Sequence, residues 1–295
     1  MLSAKPKFKI NSPASTKNYN FLFQLMNIKR SLYLTEQKFK KAGIKTADLD
    51  ALLLLKFILK KPKEYILAHP EKNLTKKQEK EFFVLVKKRA SRFPVAYILG
   101  EQEFYGRKFK VNKNVLIPRP ETEKIIELVL KKIKEMPHFA KGFPGLSFGQ
   151  KKLKILDLGT GSGCIAITLA NELDKQKVKY QITASDISCD ALKIAKENAK
   201  KLIHRNHHEK KPKESQIHFI KKDIFQNIKG KFNIIVANLP YVKAKEIKNE
   251  LKFEPQLALL DQKQIPQMLK NYKKYLKNQG CLIYETINGK IIFES

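Results

Sequence analysis

Apolar positions between about Phe21 and Arg92 recur at helical spacing and never alternate as a strand would. Thr46, Ala47 and Asp48 offer helix starts before the apolar run Leu49–Leu59, and Pro62 follows its end. Thr75 and Gln78 form a T-x-x-Q capping box in front of Phe82, Phe83, Leu85 and Val86. Residues 21–92 therefore predict a small helical bundle. From Glu103 to Val111 the pattern alternates around Gly106, so residues 93–120 read as a hairpin linker. Ile117-Pro118-Arg119-Pro120-Glu121-Thr122-Glu123 then leads into a helix from about Glu121 to Glu135. Pro120 suits a first helical turn, and the acids after it suit the positive helix end. Pro137–Lys152 shows no period and reads as a loop.

From Leu153 strands and helices alternate. Strands are predicted at Lys154–Leu158, Tyr180–Ser185, Gln216–Ile220, Phe232–Ala237 and Cys281–Glu285, with helices at Gly163–Leu173, Asp190–Leu202 and near Ile265–Lys277. That rhythm implies an α/β fold, a doubly wound Rossmann-like sheet over residues 121–295 behind the helical bundle. His204–Ser215 is a polar insertion, and its pair His207-His208 reads as solvated loop rather than metal ligand.

Composition narrows the class. The chain has 295 residues, 42% of them hydrophobic, which suffices for a sizeable core. A net charge of +32 invites a nucleic-acid partner, yet only six basic residues are arginines, the side chain best suited to specific phosphate and base contacts. Most of the lysine excess is assigned to composition. Residues 1–20 read as a basic tail rather than a transit peptide, and no apolar run reaches the ~20 residues of a spanning helix. Cys164, Cys189 and Cys281 are too scattered for a disulfide frame or zinc site, so the expectation is a cytoplasmic protein without metal or membrane partner.

The candidate chemistry begins at Asp157-Leu158-Gly159-Thr160-Gly161-Ser162-Gly163, between a strand and a helix. The spacing G-x-G-x-G differs from the dinucleotide pattern and lacks the Lys-Ser/Thr of a phosphate loop. A preceding Asp with this spacing is the pattern of methyltransferases that use S-adenosyl-L-methionine. Asp186 ends the next strand, where a carboxylate can accept both ribose hydroxyls. Asp223-Ile224-Phe225 follows the third strand and is expected at the adenine, with Asp223 on its amino group and the apolar pair on its ring.

Asn238-Leu239-Pro240-Tyr241 follows the apolar strand Ile234–Ala237. An amide or exocyclic amine is a poor nucleophile because its lone pair is delocalised. A site helps by accepting hydrogen bonds from the NH2 group, here through the Asn238 side-chain oxygen and the Leu239 carbonyl. Tyr241 is expected to pack on the planar group, and Pro240 to stiffen the turn.

The segments 95–123, Asp157–Gly163, Asp186, Asn238–Tyr241 and Phe253–Leu259, in this order behind a helical bundle, resemble the peptide chain release factor glutamine N5-methyltransferases of the HemK type. The resemblance implies methylation of the glutamine in the Gly-Gly-Gln loop of class I release factors. It assigns Asp157, Gly159, Thr160, Gly161, Ser162, Gly163, Asp186, Asp223, Ile224, Phe225 and Asn238 to the cofactor, and Asn238, Leu239, Pro240 and Tyr241 to the glutamine. Arg119 and Glu123 are expected near the methionine end of the cofactor.

Three departures stand out. Leu239 replaces the first proline of the family's Asn-Pro-Pro-Tyr, as in ribosomal RNA adenine dimethylases. The segment Leu260-Asp261-Gln262-Lys263 is short. The chain stops at Ser295, which predicts a missing C-terminal strand pair and a bare edge beside Cys281–Glu285. An RNA or DNA adenine N6-methyltransferase, or a truncated inactive relative that only binds its partner, remains an alternative. Lys60-Lys61 and Lys76-Lys77 offer weak contacts to an acidic factor surface, ribosome or nucleic acid.

Overall fold

The helical periodicity near the start of the chain becomes four helices in the computed structural model, which describes residues 26–136, 152–203, 217–260, 263–286 and 289–295. They are α1 (Ile28–Lys41), α2 (Ala47–Leu59), α3 (Lys63–Ala68) and α4 (Lys76–Ala90). The capping box forms: the Gln78 backbone N–H donates to Thr75 Oγ1 at 3.2 Å, and the Thr75 N–H donates to Gln78 Oε1 at 2.9 Å. Thr46 stands at the start of α2 but makes no side-chain cap bond. Phe39, Leu54, Leu55, Phe82 and Val86 are fully buried where α1, α2 and α4 meet. The same interior holds an ion pair, Arg89 Nε to Asp50 Oδ2 at 2.6 Å. These helices belong to one compact unit that ends at Ser91, and the described residues from Arg92 onward form a second.

The second unit opens with α5 (Val95–Leu99) and the hairpin β1 (Glu101–Phe104) and β2 (Arg107–Lys110), paired antiparallel around Tyr105-Gly106. A 3-10 turn at Pro120–Thr122 feeds α6 (Glu123–Glu135). Then come β3 (Leu153–Leu158), α7 (Cys164–Lys175), β4 (Tyr180–Asp186), α8 (Cys189–Leu202), β5 (Ile217–Lys221) and β6 (Phe232–Ala237). The chain ends with α9 (Gln256–Leu259), α10 (Gln264–Asn271), β7 (Leu276–Thr286) and β8 (Lys290–Glu294). The sheet order is β5-β4-β3-β6-β7-β8, parallel except for β8. Alternate residues feed opposite faces. Ile155 and Ile234 join one core with α6 and α7, while Leu156, Ile235 and Leu282 join another with Met268 and Tyr272.

Two expectations are corrected. The sheet has no bare edge at Cys281–Glu285, because β8 folds back antiparallel on β7, with Glu285 opposite Ile291 and Ile283 opposite Phe293. Ile291 and Ile292 point to opposite cores, so five residues suffice to make the strand. The helix expected to reach Lys277 stops at Asn271 and tightens into a 3-10 turn over Tyr272–Tyr275. That turn buries Tyr272 and lays the Tyr275 ring on Phe225. The basic tail 1–20, the insertion 204–215, all but Lys152 of the loop 137–152, and positions 261 and 262 lie outside the described residues. Among the described residues no helix is long and apolar enough to cross a membrane, and Cys164, Cys189 and Cys281 are free thiols.

Removing one partner of a buried ion pair deprives the other of that countercharge. Asp50→Ala is therefore expected to lower stability by about 3–5 kcal/mol, read as a fall in the denaturant midpoint at unchanged slope. A change under about 1 kcal/mol would show that the pair is solvated.

Candidate active site

The chain runs outward from β3 through β4 and β5, then returns to the other side of β3 as β6. Such a reversal opens a crevice at the carboxyl ends of the two central strands. Leu158 is paired with Ala237, and Ala237 with Tyr284. The residues that follow, Gly159, Asn238 and Glu285, thus stand at one level at the carboxyl ends of three neighbouring strands. A cavity lies there, lined by Gly159 to Ser162, Asp186, Asp223, Ile224, and Asn238 to Pro240.

The glycine loop is held from below. Thr160 Oγ1 donates to Asp157 Oδ2 at 2.7 Å, and the Thr160 N–H donates to the Ser185 carbonyl at 2.9 Å. Gly161 lines the cavity at φ 54°, and a Cβ there would meet no protein atom closer than the Gly159 carbonyl at 4.0 Å. A side chain would enter the cavity itself, so its absence lets a ligand approach the backbone. Gly163 differs: a Cβ there would sit 2.8 Å from Ile167 Cδ1 and 3.2 Å from Ala195 Cβ. Its glycine serves the packing of α7 on α8. Asp186 accepts from the Gly161 N–H through Oδ2 and from the Ser188 N–H through Oδ1, both at 2.8 Å. Burial raises its carboxyl above the ordinary range, opposed by those backbone donors.

Across the crevice, Asn238 Nδ2 donates to Thr122 Oγ1 at 2.9 Å and to Glu285 Oε2 at 3.0 Å. Thr122 Oγ1 donates to the same Glu285 oxygen at 2.6 Å, and Tyr241 Oη donates to Glu285 Oε1 at 2.9 Å. Burial, then the Glu285 charge, raises the Tyr241 pKa, so the phenol stays a donor. Leu239 is buried in the core that holds Leu158 and Ala237, and a Cβ on Gly159 would lie 3.0 Å from its Cδ2. A third wall comes from residues 114–119. The buried Glu254 ties it down, accepting from the Ile117 N–H at 3.0 Å and pairing with Arg119 at 2.6 Å.

Several expected residues stand elsewhere. Arg119 lines the cavity, but Glu123 does not; its carboxylate accepts from the Tyr105 N–H at 2.7 Å. Phe225 turns into the core and stacks on Tyr275 with ring centroids 4.4 Å apart, leaving Asp223 and Ile224 at the cavity. Asp157 is wholly buried beneath the loop, and Tyr241 meets Glu285 rather than the cavity lining. Thr122, Glu254 and Glu285 were not singled out from the sequence. A signal for Glu285 existed: it directly follows the apolar run at the end of a strand parallel to the one that Asn238 follows.

Family models match two parts of the chain: the PrmC N-terminal domain over residues 32–100 and the methyltransferase small domain over residues 146–283. A bifunctional methyltransferase of Rickettsia felis is 35% identical over 281 residues, covering 88% of this chain and 51% of that protein. The chain thus spans about half the length of that relative. A release factor glutamine methyltransferase of Borreliella burgdorferi is 38% identical over 256 residues, covering 84% of this chain and 80% of that protein. The one from Buchnera aphidicola is 36% identical, covering 88% and 85%.

Burial pushes the Asp157 carboxyl up to about 7, despite the Thr160 hydroxyl bonded to it. The fold therefore holds a proton that the unfolded chain has lost above its ordinary range. Stability falls as pH rises from about 4 to about 7, by about 1.4 kcal/mol per unit, and the loss is complete above. Asp157→Asn removes this titration, so its stability advantage over the parent is expected to widen across that window and then level. A gap that stays flat or narrows there contradicts the assignment.

Proposed function

The chain belongs to the release factor glutamine methyltransferase family, and from that premise we propose that it moves a methyl group from S-adenosyl-L-methionine to a release factor. The acceptor is the side-chain amide nitrogen of the glutamine in the Gly-Gly-Gln loop of class I peptide chain release factors, in the cytoplasm. The observation that carries this reading is the anchored Asn238 amide, level with the glycine loop across one cavity.

The residues suit the cofactor. Gly161 leaves its side of the cavity open, and each Asp186 oxygen has a further lone pair for a ribose hydroxyl. Asp223 and Ile224, which line the cavity, would meet the base, and Arg119 would stand toward the methionine end. When bound, S-adenosyl-L-methionine supplies an electrophilic methyl group on a sulfonium. Asn238 Oδ1 and the Leu239 carbonyl accept the two hydrogens of the glutamine NH2 group and set its nitrogen in line with the methyl carbon. Transfer to this nitrogen would leave the carbon–sulfur electron pair on sulfur, and the nitrogen would release one proton to water. Positioning carries the catalysis. Exposed lysines such as Lys60, Lys61, Lys76 and Lys77 add a weak attraction to an acidic factor or ribosome.

Leu239 favours a second reading, an adenine N6-methyltransferase. Incubation with labelled S-adenosyl-L-methionine and either release factor or ribosomal RNA separates the two. Label on the factor's glutamine is expected; label on RNA alone would sink the proposal, and no label on either would leave an inactive relative. Asn238→Ala is expected to cut turnover by about 10²–10³-fold while cofactor affinity changes little. Unchanged turnover would mean that Asn238 does not hold the acceptor nitrogen.

A further inference from the structure

An asparagine amide is nearly symmetric in shape and not in chemistry. Turned one way it offers an acceptor; turned over, it offers two donors. Only the first can hold an NH2 group, so the site needs something that fixes which way Asn238 faces.

The end of β7 supplies it. Glu285 is 1% exposed, and its three side-chain hydrogen bonds come from Asn238, Thr122 and Tyr241, all neutral donors. A carboxylate can only accept. Thr122 must then give its hydroxyl hydrogen to Glu285, at 2.6 Å, which leaves its lone pairs to accept from Asn238 at 2.9 Å. The Asn238 amide nitrogen donates to Glu285 as well, at 3.0 Å. The nitrogen is committed to this pair of acceptors, and the oxygen is the group left to offer. The other carboxylate oxygen takes the Tyr241 hydroxyl at 2.9 Å and so ties down the far end of the same turn.

We propose that Glu285 is a positioning residue of the methyl-transfer site, which sets the polarity of the Asn238 amide and, through Tyr241, the shape of the turn that carries it. The inference rests on the reading above and adds the group that makes Asn238 an acceptor.

The test is a swap of two side chains, read first as turnover on release factor. Asn238→Asp sets a second carboxylate against Glu285 and is expected to lose about 100-fold or more. Adding Glu285→Gln restores a donor opposite an acceptor, since the introduced amide can donate to position 238 while its carbonyl still accepts from Tyr241. The double variant is expected to recover about tenfold over Asn238→Asp. Recovery of that kind does not follow from a role in packing, and a double variant no better than Asn238→Asp overturns the inference. Glu285→Met, similar in length but without an acceptor, is expected to cut kcat by about 30-fold, with KM for the factor and affinity for S-adenosylhomocysteine within about threefold. An unchanged kcat overturns it as well. Should the unsubstituted protein methylate nothing, the reading of function fails first. The same swap read as a thermal midpoint still decides the contact: Asn238→Asp lowers it and Glu285→Gln restores it, and no restoration overturns the proposal.

Discussion

A buried carboxylate admits only donors around it, and that restriction organises the far side of this cavity. Glu285 draws together a threonine from the turn before α6, an asparagine from the end of β6 and a tyrosine three residues beyond it. They come from two distant stretches of chain, and each has its hydrogen direction dictated by the same group. An unsatisfied polar atom at this depth would cost about 1–3 kcal/mol, so the three bonds favour one arrangement over its flipped alternatives. Rigidity matters here because the proposed catalysis consists of placing a weak nucleophile rather than of acid–base chemistry.

The sheet makes this convergence possible. The reversal between β3 and β6 opens the crevice, and the parallel register brings Gly159, Asn238 and Glu285 out at one level. Packing below the cavity couples its two sides, since Leu239 lies against Gly159 and shares a core with Leu158. The leucine that departs from the family's Asn-Pro-Pro-Tyr thus has an apolar seat, and the stiffness lost with a proline is compensated by burial. The antiparallel strand β8 covers β7, the strand that carries Glu285, and keeps its outer edge paired.

Much of this was legible in the chain because it is written in local patterns. The capping pair Thr75 and Gln78, the alternation around Gly106, and the glycine loop between a strand and a helix each depend on a few neighbouring residues. What could not be read depends on partners far away in sequence. Phe225 looks like a base-stacking residue until Tyr275 is seen to cover it, and Glu123 looks like a cavity acid until the hairpin claims it. Glu285 reads as an ordinary strand end, because its meaning lies in Asn238, 47 residues earlier. The edge strand was missed for a related reason: two adjacent isoleucines look like a remnant until the sheet offers each a core.

Acceptance of the glutamine nitrogen depends on the state of one amide, and nitrogen-15 NMR observes it. The Asn238 side-chain resonance pair can be identified by its loss in Asn238→Ala. At least one of its hydrogens is predicted to exchange with water about 100-fold more slowly than those of free asparagine, because the nitrogen donates to Thr122 and Glu285. Exchange of both hydrogens at the free rate would contradict the claim that Glu285 and Thr122 hold the amide with its oxygen left to accept.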